Sequence, residues 1–408
     1  MDAQDVLQDV GIVFAAAVVA VPVAALLRLP VMIVLVAAGA LVGPSVLGLV
    51  SNPVEGLGAQ LVFTLGVSLI LFHGGLGISL RIVSRTAVGL GLLVLPGVMI
   101  TALVVAVVAA PALGASFTVA LMIGAVLAAT DPAILIPLFD RLRLRPKVAQ
   151  TVIAESAFND PTATVLALTV AGVVSAGSVT ATEPLVDFSK SLALGLVCGV
   201  GGGLLLAAML SAHVVGIWRE SPAAAVLALI ALTEVTTEEL GGSAYLAAFV
   251  MGLIVGNMDL LRLGRHDRHV DLLDTFTSQT AELAMLAVFV TLGINLPFDA
   301  LYDHLWGGLL VMAAFIFVAR PLTVAVCLLP DRRGAWTRNE LVFLSWCRET
   351  GVVPAAVAGL LLSRGVEGAE LAVAMAALAV CVTLLLQATT AGALARRLGL
   401  VEEPEYPR

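Results

Sequence analysis

Glu155-Ser156-Ala157-Phe158-Asn159-Asp160-Pro161-Thr162 places two carboxylates and a carboxamide inside a run, residues 148–174, that otherwise reads as a membrane-spanning helix. A charge near the bilayer centre costs roughly 2.5–3.5 kcal/mol on insertion scales, so ionisable groups at that depth are read as ion or proton sites. At about 100° per residue, Glu155 and Asn159 share one face and Ser156 and Asp160 lie side by side on the next. The resulting polar stripe faces protein or water, not lipid.

The rest of the chain agrees with a membrane setting. Of 408 residues, 60% are hydrophobic and 12% charged, and the mean hydropathy is +1.08. That is more apolar surface than a soluble globule hides. Counting runs of about 20 mainly apolar residues gives thirteen candidate spans, at 9–27, 31–50, 60–79, 86–110, 115–139, 148–174, 189–217, 222–240, 243–260, 278–297, 304–329, 337–363 and 369–395. The fold class is therefore an all-α polytopic membrane protein. The N-terminus, Met1-Asp2-Ala3-Gln4-Asp5, is acidic and lacks the basic region of a signal peptide, which predicts that span 1 is retained. The four cysteines lie in apolar spans without metal-ligand spacing and read as packing residues. With a net charge of −8 and no long basic tract, nucleic acid is not an expected partner.

Cytoplasmic loops carry the excess of Lys and Arg. Of 21 such residues, 17 fall on one side of a thirteen-span chain, only Lys190 and Arg364 fall on the other, and Arg320 and Arg348 lie inside spans. One missed or invented helix would scramble this asymmetry. It predicts the N-terminus outside and the C-terminus inside.

An odd count divides into spans 1–6, a linking span 7 and spans 8–13, the two sixes running in opposite directions as inverted repeats. In such designs interrupted helices at matching positions hold the substrate near the midplane. Span 5 carries Thr130-Asp131-Pro132 and its counterpart, span 12, carries Arg348-Glu349-Thr350-Gly351-Val352-Val353-Pro354, each a charged residue followed by a helix breaker. The exposed helix ends need compensating charge, for which Asp131 and Arg348 or Glu349 are the candidates. Arg320 in span 11 and Glu155 in span 6 lie at similar depths, and a buried charge needs a partner. The expectation is an Arg320–Glu155 ion pair that leaves Asp160 free for cargo.

Other features carry less. His73, in Leu71-Phe72-His73-Gly74-Gly75, either titrates or ligates at depth, or is a neutral histidine at a helix interface. The basic loop 140–147 reads as a topology signal, and the alternating charges of His266-Asp267-Arg268-His269 as an interfacial segment. The glycines around Gly199 and Gly203 read as helix packing. Glu234 and Glu282 sit toward span ends, where carboxylates snorkel to the interface.

Thr130-Asp131-Pro132, Glu155-Ser156 through Asn159-Asp160, Arg320-Pro321 and the Leu71-to-Gly75 stretch, in this order and in these spans, resemble the NhaP-type branch of the monovalent cation/proton antiporters. The resemblance implies a homodimer in the cell (plasma or inner) membrane that serves pH homeostasis. It implies a scaffold of residues 1–85 and 218–297, a moving core of residues 86–174 and 298–397, a linking helix at 175–217 and a cytoplasmic tail at 398–408. It also implies that Asp160 is the transporting carboxylate, that Asp131, Ser156 and Thr130 complete an alkali-cation site, and that Asn159 braces the unwound segments. In that family Asn159-Asp160, in place of two aspartates, accompanies electroneutral exchange of one cation for one proton. Position 73, often acidic in the family, is His here, and the arginine expected at position 350 is Thr, with Arg348 two residues earlier. Relatives often continue into a cytoplasmic regulatory domain.

The expected function is therefore secondary antiport of Na⁺ or K⁺, with Li⁺ also a candidate, against H⁺. No cofactor beyond the transported ions and no enzymatic activity are expected. The competing transport reading is a sodium-coupled symporter of an organic anion, for which Arg348 is the unassigned intramembrane cation. An intramembrane aspartyl hydrolase would use Asp131 and Asp160 as a dyad, and two acidic groups at depth are its whole support.

Overall fold

The computed structural model describes residues 3–50, 57–131, 139, 142–176, 182–211, 222–260, 267–332 and 334–401. Pro132, Asp140 and His266 lie outside them. The described chain is helical throughout, with a single isolated bridge between Leu144 and Val401. In a bilayer this is the expected solution, because a helix satisfies its own backbone polar groups. Large apolar side chains such as Leu26, Val107, Leu232, Phe317 and Leu329 face outward, as suits a protein solvated by lipid.

The elements are α1 (Ala3–Leu27), α2 (Val31–Val42), α3 (Leu57–Leu76), α4 (Leu80–Val94), α5 (Pro96–Leu113), α6 (Phe117–Ala128), α7 (Pro146–Ala176), α8 (Thr182–Leu210), α9 (Pro222–Glu239), α10 (Ala244–Gly256) and α11 (Asp267–Ile294). There follow α12 (Phe298–Asp303), α13 (Leu305–Ala314), α14 (Arg320–Leu328), α15 (Arg338–Trp346), α16 (Val352–Ser363), α17 (Ala369–Thr383) and α18 (Thr389–Arg397). Single π-helical turns, Phe315–Ala319 and Leu384–Ala388, join α13 to α14 and α17 to α18. Among the described residues, seven helices are long and apolar enough to cross a membrane, and five further apolar helices are shorter. Helix α4 begins at Leu80 after an extended Ser79, so residue 85, where the sequence reading divides the chain, falls inside a helix.

Two groups of helices pack mainly among themselves. In one, α2 and α3 lie against α11, α3 against α10, and α8 and α9 against α10. In the other, α5 and α6 pack on each other, α6 on α7, α5 on α13, α16 on α17 and α14 on α15.

The first group is held by backbone approaches that only glycine permits. A Cβ on Gly39 would strike the Val290 carbonyl, one on Gly293 the Val36 carbonyl, and one on Gly43 would stand 3.0 Å from the Ile294 carbonyl. The α3–α10 crossing repeats this register: Gly252 meets the Phe72 carbonyl, Gly75 that of Phe249, and Gly256 that of Leu76. Both α2 and α10 thus present a G-x-x-x-G pair, the small-residue pattern that brings membrane helices into close contact. Gly195 and Gly199 face the Ser243 and Ala247 carbonyls in the same manner; of the glycines read from the sequence as packing residues, Gly199, Gly202 and Gly203 are packed against neighbouring helices, whereas Gly201 faces open space.

Candidate cation and proton site

Helix α6 ends at Ala128, and Ala129 is extended, with φ −69° and ψ 150°. Unwinding leaves the polar groups of Thr130 without intrahelical partners, and in a membrane each must be satisfied within the protein. One face of α7 does so. The Ser156 hydroxyl donates to the Thr130 carbonyl at 2.6 Å. The Thr130 N–H donates to Asp160 Oδ1 at 3.0 Å, and the Asn159 Nδ2 donates to the Thr130 hydroxyl at 2.8 Å. Positions 156, 159 and 160 can act together because residues three and four apart share a helix face.

The second break lies opposite. Helix α15 ends at Trp346, Cys347 is extended, and α16 starts at Val352. The two interrupted segments are bonded across: the Asp131 N–H donates to the Glu349 carbonyl at 3.0 Å, and the Val352 N–H donates to Asp131 Oδ2 at 3.2 Å. Asp131 thus caps the N-terminal end of α16, where a carboxylate is favoured. Arg348 covers the opposite kind of end, donating from Nη2 to the terminal Ala128 carbonyl of α6. Its Nη1 donates to the Thr101 hydroxyl at 3.1 Å, and the guanidinium lies 5.2 Å from the Phe315 ring centroid, within cation–π range. Gly351 is required at this crossing, since a Cβ there would collide with the Asp131 side chain.

Arg320 is 1% exposed and Glu155 3%. They form a two-pronged pair in which Nη1 meets Oε1 and Nη2 meets Oε2, the latter at 2.9 Å. Arg320 Nε donates to the Leu344 carbonyl at 2.8 Å, which ties the pair to the last turn of α15. Glu349 is different. Its side chain is 2% exposed, and both carboxylate oxygens are without a hydrogen-bond partner.

Thr130, Glu155, Ser156, Asn159, Arg320, Arg348 and Glu349 are buried, whereas Asp131 and Asp160 keep partial exposure. The two aspartates are within electrostatic range of each other. At this crossing the two carboxylates are therefore the more accessible oxygens, with those of Thr130 and Ser156 buried beside them. Hard oxygen donors of this kind suit alkali cations. The same geometry removes the support for an organic-anion site, because Arg348 is engaged by Ala128, Thr101 and Phe315.

His73 stands apart from this network. It lies in the last turn of α3, half-buried, with Nδ1 3.2 Å from the Thr277 hydroxyl of α11. Sequence reasoning missed three supports of the second break. Thr383 accepts from the Thr350 N–H at 3.1 Å, Gln387 in a π turn donates to the Trp346 carbonyl at 2.6 Å, and Thr101 receives Arg348. The discoverable signal was Gln387, a lone carboxamide in the apolar span 13. A correction concerns Glu234, which does not snorkel: it is 5% exposed, on a helix that packs against α3, α8, α10 and α11, whereas Glu282 is exposed as expected.

Comparison with known proteins follows the same lines. The profile of the family described as "Sodium/hydrogen exchanger, transmembrane" matches residues 13–397. The K(+)/H(+) antiporter NhaP of Alkalimonas amylolytica is 30% identical over 395 residues, covering 96% of this chain and 66% of the relative. The K(+)/H(+) antiporter NhaP2 of Shewanella sp. (strain MR-4) is 30% identical over 393 residues, covering 95% of this chain and 65% of the relative. The chain thus spans just under two thirds of the length of these curated relatives. The structure of the sodium proton antiporter MjNhaP1 from Methanocaldococcus jannaschii at pH 8 superposes with a TM-score of 0.85 at 25% identity, covering 97% of this chain and 99% of that one. A profile match across nearly the whole chain, together with a fold match of the same extent, places this multi-pass protein of the cell membrane in the transmembrane sodium/hydrogen exchanger family.

Proposed function

We propose that the protein exchanges a monovalent cation, Na⁺ or K⁺ and in principle Li⁺, for H⁺, both cargoes competing for Asp160. One observation carries this reading: the two partly exposed carboxylates, Asp160 and Asp131, sit where two interrupted helices cross, while Arg320 is paired with Glu155 and Arg348 caps α6. A bare carboxylate removed from water is disfavoured, and either a proton or a cation neutralises it. If the core moves only when Asp160 is loaded, the two ions must travel in opposite directions and the gradients set net flux. Asn159 at the neighbouring position makes the exchange one-for-one and electroneutral. No cofactor and no covalent chemistry enter.

The architecture proposed with this function has thirteen spans, N-terminus outside and C-terminus inside, in two inverted six-helix repeats. Supporting it, the α2–α11 and α10–α3 crossings carry the same glycine-to-carbonyl register, as they must if spans 2 and 3 are repeated as spans 9 and 10. Spans 4 and 11 each change course at a proline, Pro96 and Pro321. The breaks in spans 5 and 12 are bonded to one another. The core comprises α4 to α7 and α12 to α18, and the remaining helices form the scaffold of a homodimer surrounded by lipid.

The test is exchange in proteoliposomes with a pH-reporting dye inside. After a proton gradient is imposed, adding Na⁺, K⁺ or Li⁺ singly should restore the dye signal with at least one of them, independently of membrane potential. Asp160→Asn should abolish the response in folded protein. Retained exchange in that variant, or no response to any cation, would overturn the reading.

A further inference from the structure

Glu234 of α9 belongs to the scaffold group and takes no part in the site above. Its side chain is 5% exposed, and both carboxylate oxygens are buried without a hydrogen-bond partner. Two hydroxyls share this condition: that of Ser68 on α3, 0% exposed, and that of Tyr245 on α10, 1% exposed. Ser68 lies beside the carboxyl group, and Tyr245 lies within its electrostatic range. Three helices thus bring four buried oxygen atoms to one place in the membrane-embedded interior, with Ser68 beside the carboxyl group and Thr64 beside the phenol and no full-strength hydrogen bond made by any of the four.

Such an arrangement does not persist empty. A carboxylate desolvated without a counter-charge, and with one hydroxyl beside it, is too costly as a bare anion, so Glu234 holds either a proton or a cation. Carboxylate, hydroxyl and phenol oxygens are hard donors that suit alkali ions. A cleft adjoins the cluster at Tyr245. It measures about 630 Å³, lies between α7 and the α8–α10 group, and is walled by Asp187, Lys190, Glu238 and Arg364. These are the charged groups nearest the cluster: Glu238 follows one turn after Glu234 and is paired with Arg364 at 3.7 Å, and Lys190 comes from α8. Glu282 of α11 is exposed.

We propose that Glu234, with Ser68 and Tyr245, forms a second ion site that exchanges a proton for an alkali cation through the cleft on the Lys190 and Arg364 face. The step is a proton release. The Glu234 O–H bond breaks, the proton leaves through the cleft, the cation takes its place on the carboxylate, and the charge of the site is unchanged. Since the scaffold carries it, the site reports ion composition on one face and does not carry cargo across.

The experiment measures protons released into weakly buffered detergent solution when NaCl, KCl or LiCl is added to the purified full chain, with choline chloride as the blank. Asp160→Asn should still release protons, approaching one per chain, and Asp160→Asn/Glu234→Gln should lose that release. Glu234→Gln alone should retain the share due to Asp160, which separates loss of a site from loss of fold. Ser68→Ala in the Asp160→Asn background should raise the half-saturating cation concentration severalfold. Equal release from Asp160→Asn and Asp160→Asn/Glu234→Gln would overturn the proposal and leave Glu234 a permanently protonated packing residue. The infrared carboxylic-acid band that Asp160→Asn shows and Asp160→Asn/Glu234→Gln lacks belongs to Glu234, and its persistence through cation addition would overturn it too. Failure of the antiport reading looks different: exchange is then missing from wild-type liposomes, whatever Glu234 does.

Discussion

The buried pair between Arg320 and Glu155 yields a prediction whose size can be worked from its contacts. Replacing Glu155 by Leu leaves a guanidinium 1% exposed with both prongs facing methyl groups, and replacing Arg320 by Met leaves a carboxylate 3% exposed with no donor. Breaking a buried pair from one side costs about 3–5 kcal/mol. The double variant Glu155→Leu/Arg320→Met strands no charge. Its remaining loss is the donor to the Leu344 carbonyl, at 2.8 Å, and a weaker one to the Cys347 carbonyl, at 3.4 Å. A buried acceptor left unpaired costs about 1–3 kcal/mol. The double variant should therefore be more stable than either single one, a strongly non-additive cycle. Unfolding in mixed micelles titrated with a denaturing detergent, followed by tryptophan fluorescence, reads the order directly. The double variant should also retain cation-driven proton flux, because the bonds among Thr130, Ser156, Asn159 and Asp160 do not involve the pair. Single variants within about 1 kcal/mol of wild type, or a double variant that loses their sum, would refute the reasoning.

Further outcomes are expected at the crossing itself. If one proton competes with one cation for Asp160, acidification fills the site with protons, so the half-saturating cation concentration should rise as pH falls, by about tenfold per unit on the acid limb, with the maximal rate preserved; initial exchange rates across pH measure it. Gly351→Ala should abolish exchange while leaving the scaffold folded, because its Cβ would displace Asp131 from the cap of α16; liposome flux and monodispersity together check this. Arg348→Met should destabilise the protein by a few kcal/mol, since the Ala128 carbonyl loses a charged donor, and charge-assisted bonds are worth about 1.5–3 kcal/mol. Gln387→Leu should cost about 1 kcal/mol through the Trp346 carbonyl, and a detergent-unfolding midpoint resolves it.

Charges in a membrane advertise themselves. Arg320, Glu155, Asp131 and Arg348 were legible because each had to find a partner at its own depth, and few partners were available. The hydroxyls were not. Thr101 returns a bond to the Gly97 carbonyl at 2.9 Å and Thr383 one to the Ala379 carbonyl at 2.8 Å, so either threonine is self-sufficient on its own helix and its second contact leaves no trace in the sequence. Glu234 was misread for a related reason. Distance from a span end does not say whether that end meets lipid or protein, and here its helix packs against α3, α8, α10 and α11. The π turn before Arg320-Pro321 was equally hidden, although a proline that frees an upstream carbonyl is one local cause of such a turn.

The distribution of close contacts bears on how such a molecule moves. Among the described residues, every glycine whose Cβ would strike the backbone of another helix does so within its own group: Gly39, Gly43, Gly75, Gly195, Gly199, Gly252, Gly256 and Gly293 within the scaffold helices, and Gly124 and Gly307 within the core. Backbone-to-backbone crossings of this kind interlock and resist sliding, because no side chain is present to change rotamer. Two contacts between the groups are of another sort. Phe158, two residues before Asp160, meets Phe249 edge-on with ring centroids 5.1 Å apart, and Arg364 meets Glu238 at 3.7 Å with both side chains about half exposed. Exposed ion pairs of that type contribute little, and an aromatic pair can re-form after a shift. The firm link is at one end, where Asn257 of the α10 terminus accepts from the Leu80 N–H at 2.9 Å and donates to the Ile78 carbonyl at 2.7 Å, at the start of α4. On the proposed mechanism, a core bonded to the scaffold at Asn257 and meeting it through side chains such as Phe158 and Arg364 can shift to expose Asp160 alternately while each group keeps its own shape.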